Sequence, residues 1–272
     1  MRLTCIIIAG LTMALGLRMS SSRLCKKLGA LTFISTMGYL GYALTDHWLG
    51  VLASLMLWML LPLIEIYYHK GRAHYPLTPQ PIPRLTATEE VFFPHASEYR
   101  AQLEELGFEE VDTGSWIWLD ARQHHRFYWH PEHLTVASVC LSELDKIAFS
   151  YILFYSELAC GKTLKTTNYP FTCPLQYAPN MIWRHVPCEE KKVSHILRAH
   201  QRLIAQHNSE PCQLRMPDPE NVTAQWFAEK DAQISHNLSR KLISKKECNF
   251  HYTPLGFFHL WLQAIRDLIR LC

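Results

Sequence analysis

Two apolar stretches near the start of the chain constrain it more than any other feature. Leu28 to Leu44 carries no charge, and Trp48 to Tyr68 carries only Glu65. A backbone crosses hydrocarbon only when its N–H and C=O groups are satisfied internally, and a helix needs roughly 20 apolar residues to do so. Both stretches are therefore expected to span a bilayer, at about 28–45 and 48–68. Only Thr45, Asp46 and His47 separate them, so the two helices would run antiparallel as a hairpin with both outer ends on one side.

The flanks set the orientation. Arg18, Arg23, Lys26 and Lys27 precede the first stretch and Lys70 and Arg72 follow the second, while the turn has neither Lys nor Arg. By the positive-inside bias the basic ends, and the chain beyond them, should face the cytoplasm, making a multi-pass protein of the inner (plasma) membrane. Trp48 at one end and Tyr67 and Tyr68 at the other fit the headgroup zones. Glu65 could mark an ion pathway, but one turn from the interface it can reach water. Pro62 is expected to bend its helix, and Gly50 with Ser54 offers a small-residue face for close packing.

A third apolar run, Leu3 to Leu17, is short for a span and resembles a signal-peptide core. Cleavage after Gly16 would leave Arg18 to Lys27 outside, against the charge bias. A short first span with an external N-terminus is favoured, with an interfacial segment as the alternative.

The remainder of the 272 residues reads as α+β. The expected order is a membrane anchor over 1–75, a Pro-rich spacer over 76–84, an α+β domain over 85–210 and a helical extension over 211–272. Pro76, Pro79, Pro81 and Pro83 favour an extended spacer. Tyr99, Leu103 and Leu106 have helical spacing, and Gly107 can close that helix in the left-handed conformation. The segments 108–112, 115–120, 125–130, 134–142, 147–158 and 162–168 are rich in β-branched and aromatic residues. Short breaks between them predict an antiparallel meander, with Ala159 to Lys162 as the clearest hairpin turn. From Glu189 to His207, Val193, Ile196, Leu197, His200, Leu203 and Ile204 fall on one helical face. After the link from Pro211 to Pro219, a polar helix is expected over about 220–246. A strongly apolar helix, Leu255 to Leu271, then either lies in the membrane interface or packs on the domain's own sheet.

Composition excludes some classes. Twenty-seven basic against 24 acidic residues give a net charge of +3, too little for phosphate-driven nucleic-acid binding. Nine cysteines without a C-x-x-C pair suit free thiols in a reducing compartment. The densest chemical cluster is His124 and His125 with His130, Glu132 and His133. His125, His130, Glu132 and His133 are the candidate ligands for a divalent metal. Against this, His124 and His125 must point to opposite faces of a strand, and Pro131 to His133 reads equally well as a turn. His200 on an apolar helix face reads as a buried, hydrogen-bonded imidazole. Gly161-Lys162-Thr163 lacks the earlier glycine of a phosphate loop, Ser156 standing in its place, and no nucleophile elbow is present.

These observations predict a non-enzymatic binding or regulatory module displayed at the cytoplasmic face, with the lipid bilayer, a protein partner or a small ligand as its partners and no cofactor. The alternative is a membrane-tethered metal-dependent hydrolase built on the histidines at 124–133. A transport component is the third class, and two or three spans with one edge carboxylate line no pathway without oligomerisation.

Overall fold

The computed structural model describes residues 2–20, 23–71, 73–86, 90–144, 147–207, 213–216, 218 and 221–271. Arg72, Pro211, Cys212, Pro217, Pro219 and Glu220, together with the side chains of Arg23, Lys26, Leu268, Ile269 and Arg270, lie outside that description. The fold is mixed α+β, and its contacts divide the chain into two compact units: Met1–Ala73 with Tyr252–Cys272, and His74–His251.

The first unit opens with helices α1 (Arg2–Arg18), α2 (Arg23–Thr45) and α3 (Trp48–Lys70), each packed on the next. Asp46 makes the turn between α2 and α3 with φ of 51°, a conformation that Asp tolerates better than most residues. His47 then caps α3, its Nδ1 accepting the Leu49 amide at 3.2 Å. Small residues set how closely the helices approach. A Cβ on Gly41 would overlap the Gly50 carbonyl, and one on Gly50 would overlap Gly41 and Thr45. Ser54 donates to the Met37 carbonyl across the same seam at 2.9 Å, so the Gly50 and Ser54 face is where α2 and α3 meet. The hydroxyls of Thr12, Thr32 and Thr36 each donate to the carbonyl four residues earlier, so these polar groups are satisfied within their own helices. Gly41→Leu should therefore cost at least about 1–3 kcal/mol through overpacking, whereas Gly16→Leu, with open space around it, should leave stability unchanged. Thermal unfolding of the full chain in mild detergent checks the pair.

Among the described residues, α3 is the one helix long and apolar enough to cross a membrane, and Leu3–Arg18 is a shorter apolar helix. The two or three spans expected from sequence thus reduce to one by this criterion. The reason is visible in α2, which matches α3 at 23 residues but includes Arg23, Lys26 and Lys27 and several Gly, Ser, Thr and Tyr residues. α3 runs about 35 Å at 1.5 Å per residue, enough for a hydrocarbon layer of about 30 Å. Its Leu52, Met56, Leu57, Leu60, Leu61 and Ile64 are all exposed.

The second unit begins with β1 (Tyr75–Pro76) and β2 (Gln80–Pro81), then α4 (Ala96–Glu105). Gly107 ends α4 at φ 82°, its amide returning to Glu104 while that of Phe108 returns to Leu103. The sheet continues through β3 (Glu109–Trp118), β4 (Ala121–His130), β5 (Thr135–Leu144), β6 (Ile147–Leu158), β7 (Thr163–Thr167) and β8 (Met181–His185). The order β2-β3-β4-β5-β6-β7-β8 is antiparallel except for the last pair. Sequence reading misses β8, because the link from Asn168 to Asn180 returns it parallel to β7 with no helix in the crossover. Gly114 is not a break between two strands but an interior position of β3. The Trp116 indole folds over it, where any Cβ would collide.

α5 (Val193–His207) and α4 cover one sheet face. There Leu103, Tyr128, Ile152, Phe154, Val193 and Ile196 belong to one hydrophobic core cluster. After β9 (Leu214–Arg215), which pairs with β6, α6 (Val222–Ser239) covers the other face, setting Trp226 against Trp116 at 4.0 Å. The expected long polar helix stops at Ser239. Lys241 turns left-handed at φ 56°, and β10 (Ile243–Lys246) and β11 (Asn249–Tyr252) form a hairpin that pairs with β1. The last helix, α7 (Pro254–Leu271), belongs to the first unit and packs on α3 rather than the sheet. Trp261 Nε1 donates to the Met59 carbonyl at 2.7 Å, and Tyr67 meets Phe257 edge-on at 5.7 Å.

Candidate functional site

The two faces of the sheet distribute its histidines. Strand register pairs His124 with Leu141 and Arg126 with Val139 on the face of α4 and α5. His125 with Cys140 and Phe127 with Ser138 lie on the face of α6. The alternation that separates His124 from His125 also separates His125 from His130, which pairs with Thr135. His130 and His133 do come together, their rings stacked at 4.2 Å, but His130 Nδ1 faces the His133 amide at 3.4 Å and its ring edge meets Phe108. Glu132 is exposed in the turn between β4 and β5. Among the described residues, no group of three or more His, Cys, Asp or Glu side chains is placed to hold one ion.

Beside α4, cavities of about 410, 290 and 480 Å³ open on this sheet face, with Arg84, Leu85, Glu90 and Phe93 among the residues that line them. Arg126, from β4, organises this groove. It binds Glu90 through Nε and Nη2, and Glu110 through Nη1 at 3.0 and 3.3 Å. Burial works against its charge, but the hydrogen bond to Glu90 and the nearby carboxylates outweigh it and hold the guanidinium more firmly protonated than usual. The His124 ring rests on Ser115 Oγ at 2.8 Å, and Arg84 and Leu85 complete the wall. At the rim Val91 and Phe92 are 81% and 76% exposed. Sequence reasoning found His124 but missed Arg126, Glu90 and Glu110. Arg126 and Glu90 are 36 positions apart with no local pattern to connect them.

On the other face His125 lies stacked between Trp116 and Phe127, its Nδ1 within 3.0 Å of both Ser138 Oγ and Cys140 Sγ. Burial, helped by the charges of Lys230 and Lys165, holds the imidazole well below its ordinary pKa, so it is neutral. Burial also pushes the Cys140 thiol up to about 12. A nucleophilic cysteine needs the opposite shift, so this pair is a neutral hydrogen-bonded part of the core. Nearby, Lys165 pairs with Glu229 of α6 and lies over the Tyr155 and Trp183 rings.

His200 is fully buried and bonded at both nitrogens, to Ser156 Oγ at 3.1 Å and Thr166 Oγ1 at 3.0 Å. Burial takes its pKa down to about 3. Both buried imidazoles gain a proton only on unfolding. Their contribution is complete above about pH 6.5 and is lost as pH falls toward the folded values, by about 1.4 kcal/mol per pH unit for each group. Unfolding free energies should approach this slope between about pH 5.5 and pH 4, and His200→Gln should remove its own share of about 1.4 kcal/mol per unit there.

Compared with protein-family models, curated proteins and solved structures, the chain matches none.

Proposed function

We propose that this protein is a non-enzymatic binding or regulatory module, held in the inner membrane by its helical unit and displaying the His74–His251 unit on the cytoplasmic side. The observation that carries the reading is α3, a 23-residue, predominantly apolar helix with only Gly50 buried and with Leu52, Met56, Leu57, Leu60, Leu61 and Ile64 exposed. An apolar surface of that extent is unfavourable in water and favourable in hydrocarbon. In this reading α2 crosses beside α3, its hydroxyls satisfied within the helices and its seam closed by Gly41, Gly50 and Ser54. Arg18, Lys27 and Lys70 then mark the cytoplasmic ends.

The binding surface is the groove beside α4. It is lined by charges of both signs, Arg126 bridging Glu90 and Glu110 and Arg122 meeting Glu143, while Val91 and Phe92 stand exposed at its edge. Such a lining suits a partner with both apolar and polar groups, a protein segment above all. A photo-crosslinking residue at Phe92 in the full chain in cells should give a discrete adduct that the same residue at Arg198, exposed on α5, does not. The absence of an adduct from Phe92, or the same products from both positions, would remove the groove from the account.

A further inference from the structure

The helical unit contains a cavity of about 510 Å³, within the usual range for small-molecule sites of roughly 300–1,000 Å³. Its walls are apolar and come from three helices: Phe33 of α2, Trp58, Met59 and Pro62 of α3, and Ile265 of α7. Three charges break this pattern. Arg18 is the last residue of α1, Lys27 lies in the second turn of α2, and Glu65 lies in the penultimate turns of α3. Because successive helices alternate in direction, all three belong to the same end of the unit. Among the described residues Glu65 makes no hydrogen bond or ion pair.

We propose that this cavity holds one phospholipid with an ethanolamine headgroup, an inference that rests on the reading of the helical unit as embedded in lipid. Each part of that molecule has a counterpart. One of its two acyl chains lies along the Phe33, Trp58 and Ile265 walls. The phosphodiester, with one negative charge, meets Arg18 and Lys27 as charge-assisted partners. The primary ammonium has three N–H donors for the Glu65 carboxylate. A choline headgroup has no N–H to offer Glu65, and a glycerol headgroup leaves the carboxylate facing an anion without its own cation. The set of two cations and one carboxylate therefore selects among headgroups of the same chain length.

The test uses the full chain, delipidated in mild detergent and titrated with ethanolamine, choline and glycerol phospholipids of identical acyl chains, with binding followed by native mass spectrometry. One ethanolamine lipid per chain is expected, held at least about tenfold more tightly than the choline lipid, a ratio that one charge-assisted hydrogen bond supports. Glu65→Gln should bring that ratio to about one while the fold is retained, and Arg18→Gln with Lys27→Gln should weaken all three lipids. Equal binding of the three lipids by the unsubstituted chain overturns the proposal, as does a preference that survives Glu65→Gln. Carbonate extraction of the same chain separates the two readings: a protein that stays in washed membranes without headgroup preference loses this site and keeps its anchor.

Discussion

Arginine at both Leu57 and Leu60 is expected to release the chain from the bilayer. Both side chains are exposed near the middle of α3. A centrally placed Arg costs about 2.5–3.5 kcal/mol on insertion scales, so the pair costs on the order of 5–7 kcal/mol. At 1.4 kcal/mol per factor of ten, that is a shift of several powers of ten in the inserted population, offset in part by side chains reaching toward the interface. The carbonate-resistant fraction should fall from most of the protein to a minor part. Leu57→Ile with Leu60→Ile, which keeps the apolar surface, should leave it unchanged.

Glu229→Gln is expected to be among the most damaging single substitutions in the His74–His251 unit. The Lys165 side chain is 5% exposed and that of Glu229 21%, so the pair is largely withdrawn from water. Removing one partner strands the other charge, at a cost of about 3–5 kcal/mol. Replacing both together, Lys165→Met with Glu229→Leu, removes the attraction and the desolvation penalty at once and should be close to neutral. Urea denaturation of the full chain in detergent, read from tryptophan fluorescence, distinguishes the two variants. A double variant as unstable as Glu229→Gln would show that the loss comes from packing between α6 and the sheet.

Local signals in the sequence reached far into this fold. Gly107 ends its helix as expected, Ala159 to Lys162 turns between β6 and β7 with Gly161 at φ 77°, and the five apolar positions from Val193 to Ile204, with His200 among them, are all buried. Each depends on neighbours within a few residues, where backbone geometry and periodicity dominate. What stayed hidden depends on long-range pairing. β8 has five residues, Met181 to His185, whose strand character comes from docking parallel to β7 after an irregular crossover. The strand β10 falls within the helix expected over about 220–246, because its polar residues resemble a solvated helix face, whereas the left-handed turn at Lys241 ends that helix and opens a hairpin with β11.

The site divides in the same way. His124 and His125 were correctly expected on opposite faces, since strand alternation requires it. Arg126, the next residue, carries no local sign of its role, because Glu110 reaches it only through the pairing of β3 with β4 and Glu90 from 36 positions away. His200 was legible as a core histidine from its place on an apolar face, although its partners Ser156 and Thr166 were not.

The central claim is that α3 anchors the protein and that the unit following it stays on the side of the basic flanks. Cys160, Cys188 and Cys248 are exposed thiols in that unit. Treating intact cells with a membrane-impermeant maleimide, then isolating carbonate-washed membranes, tests both halves together. The account predicts that the chain is in the washed membranes, with these thiols unmodified in intact cells and modified once the cells are permeabilised. Recovery of the chain in the supernatant, or labelling of these thiols in intact cells, would contradict it.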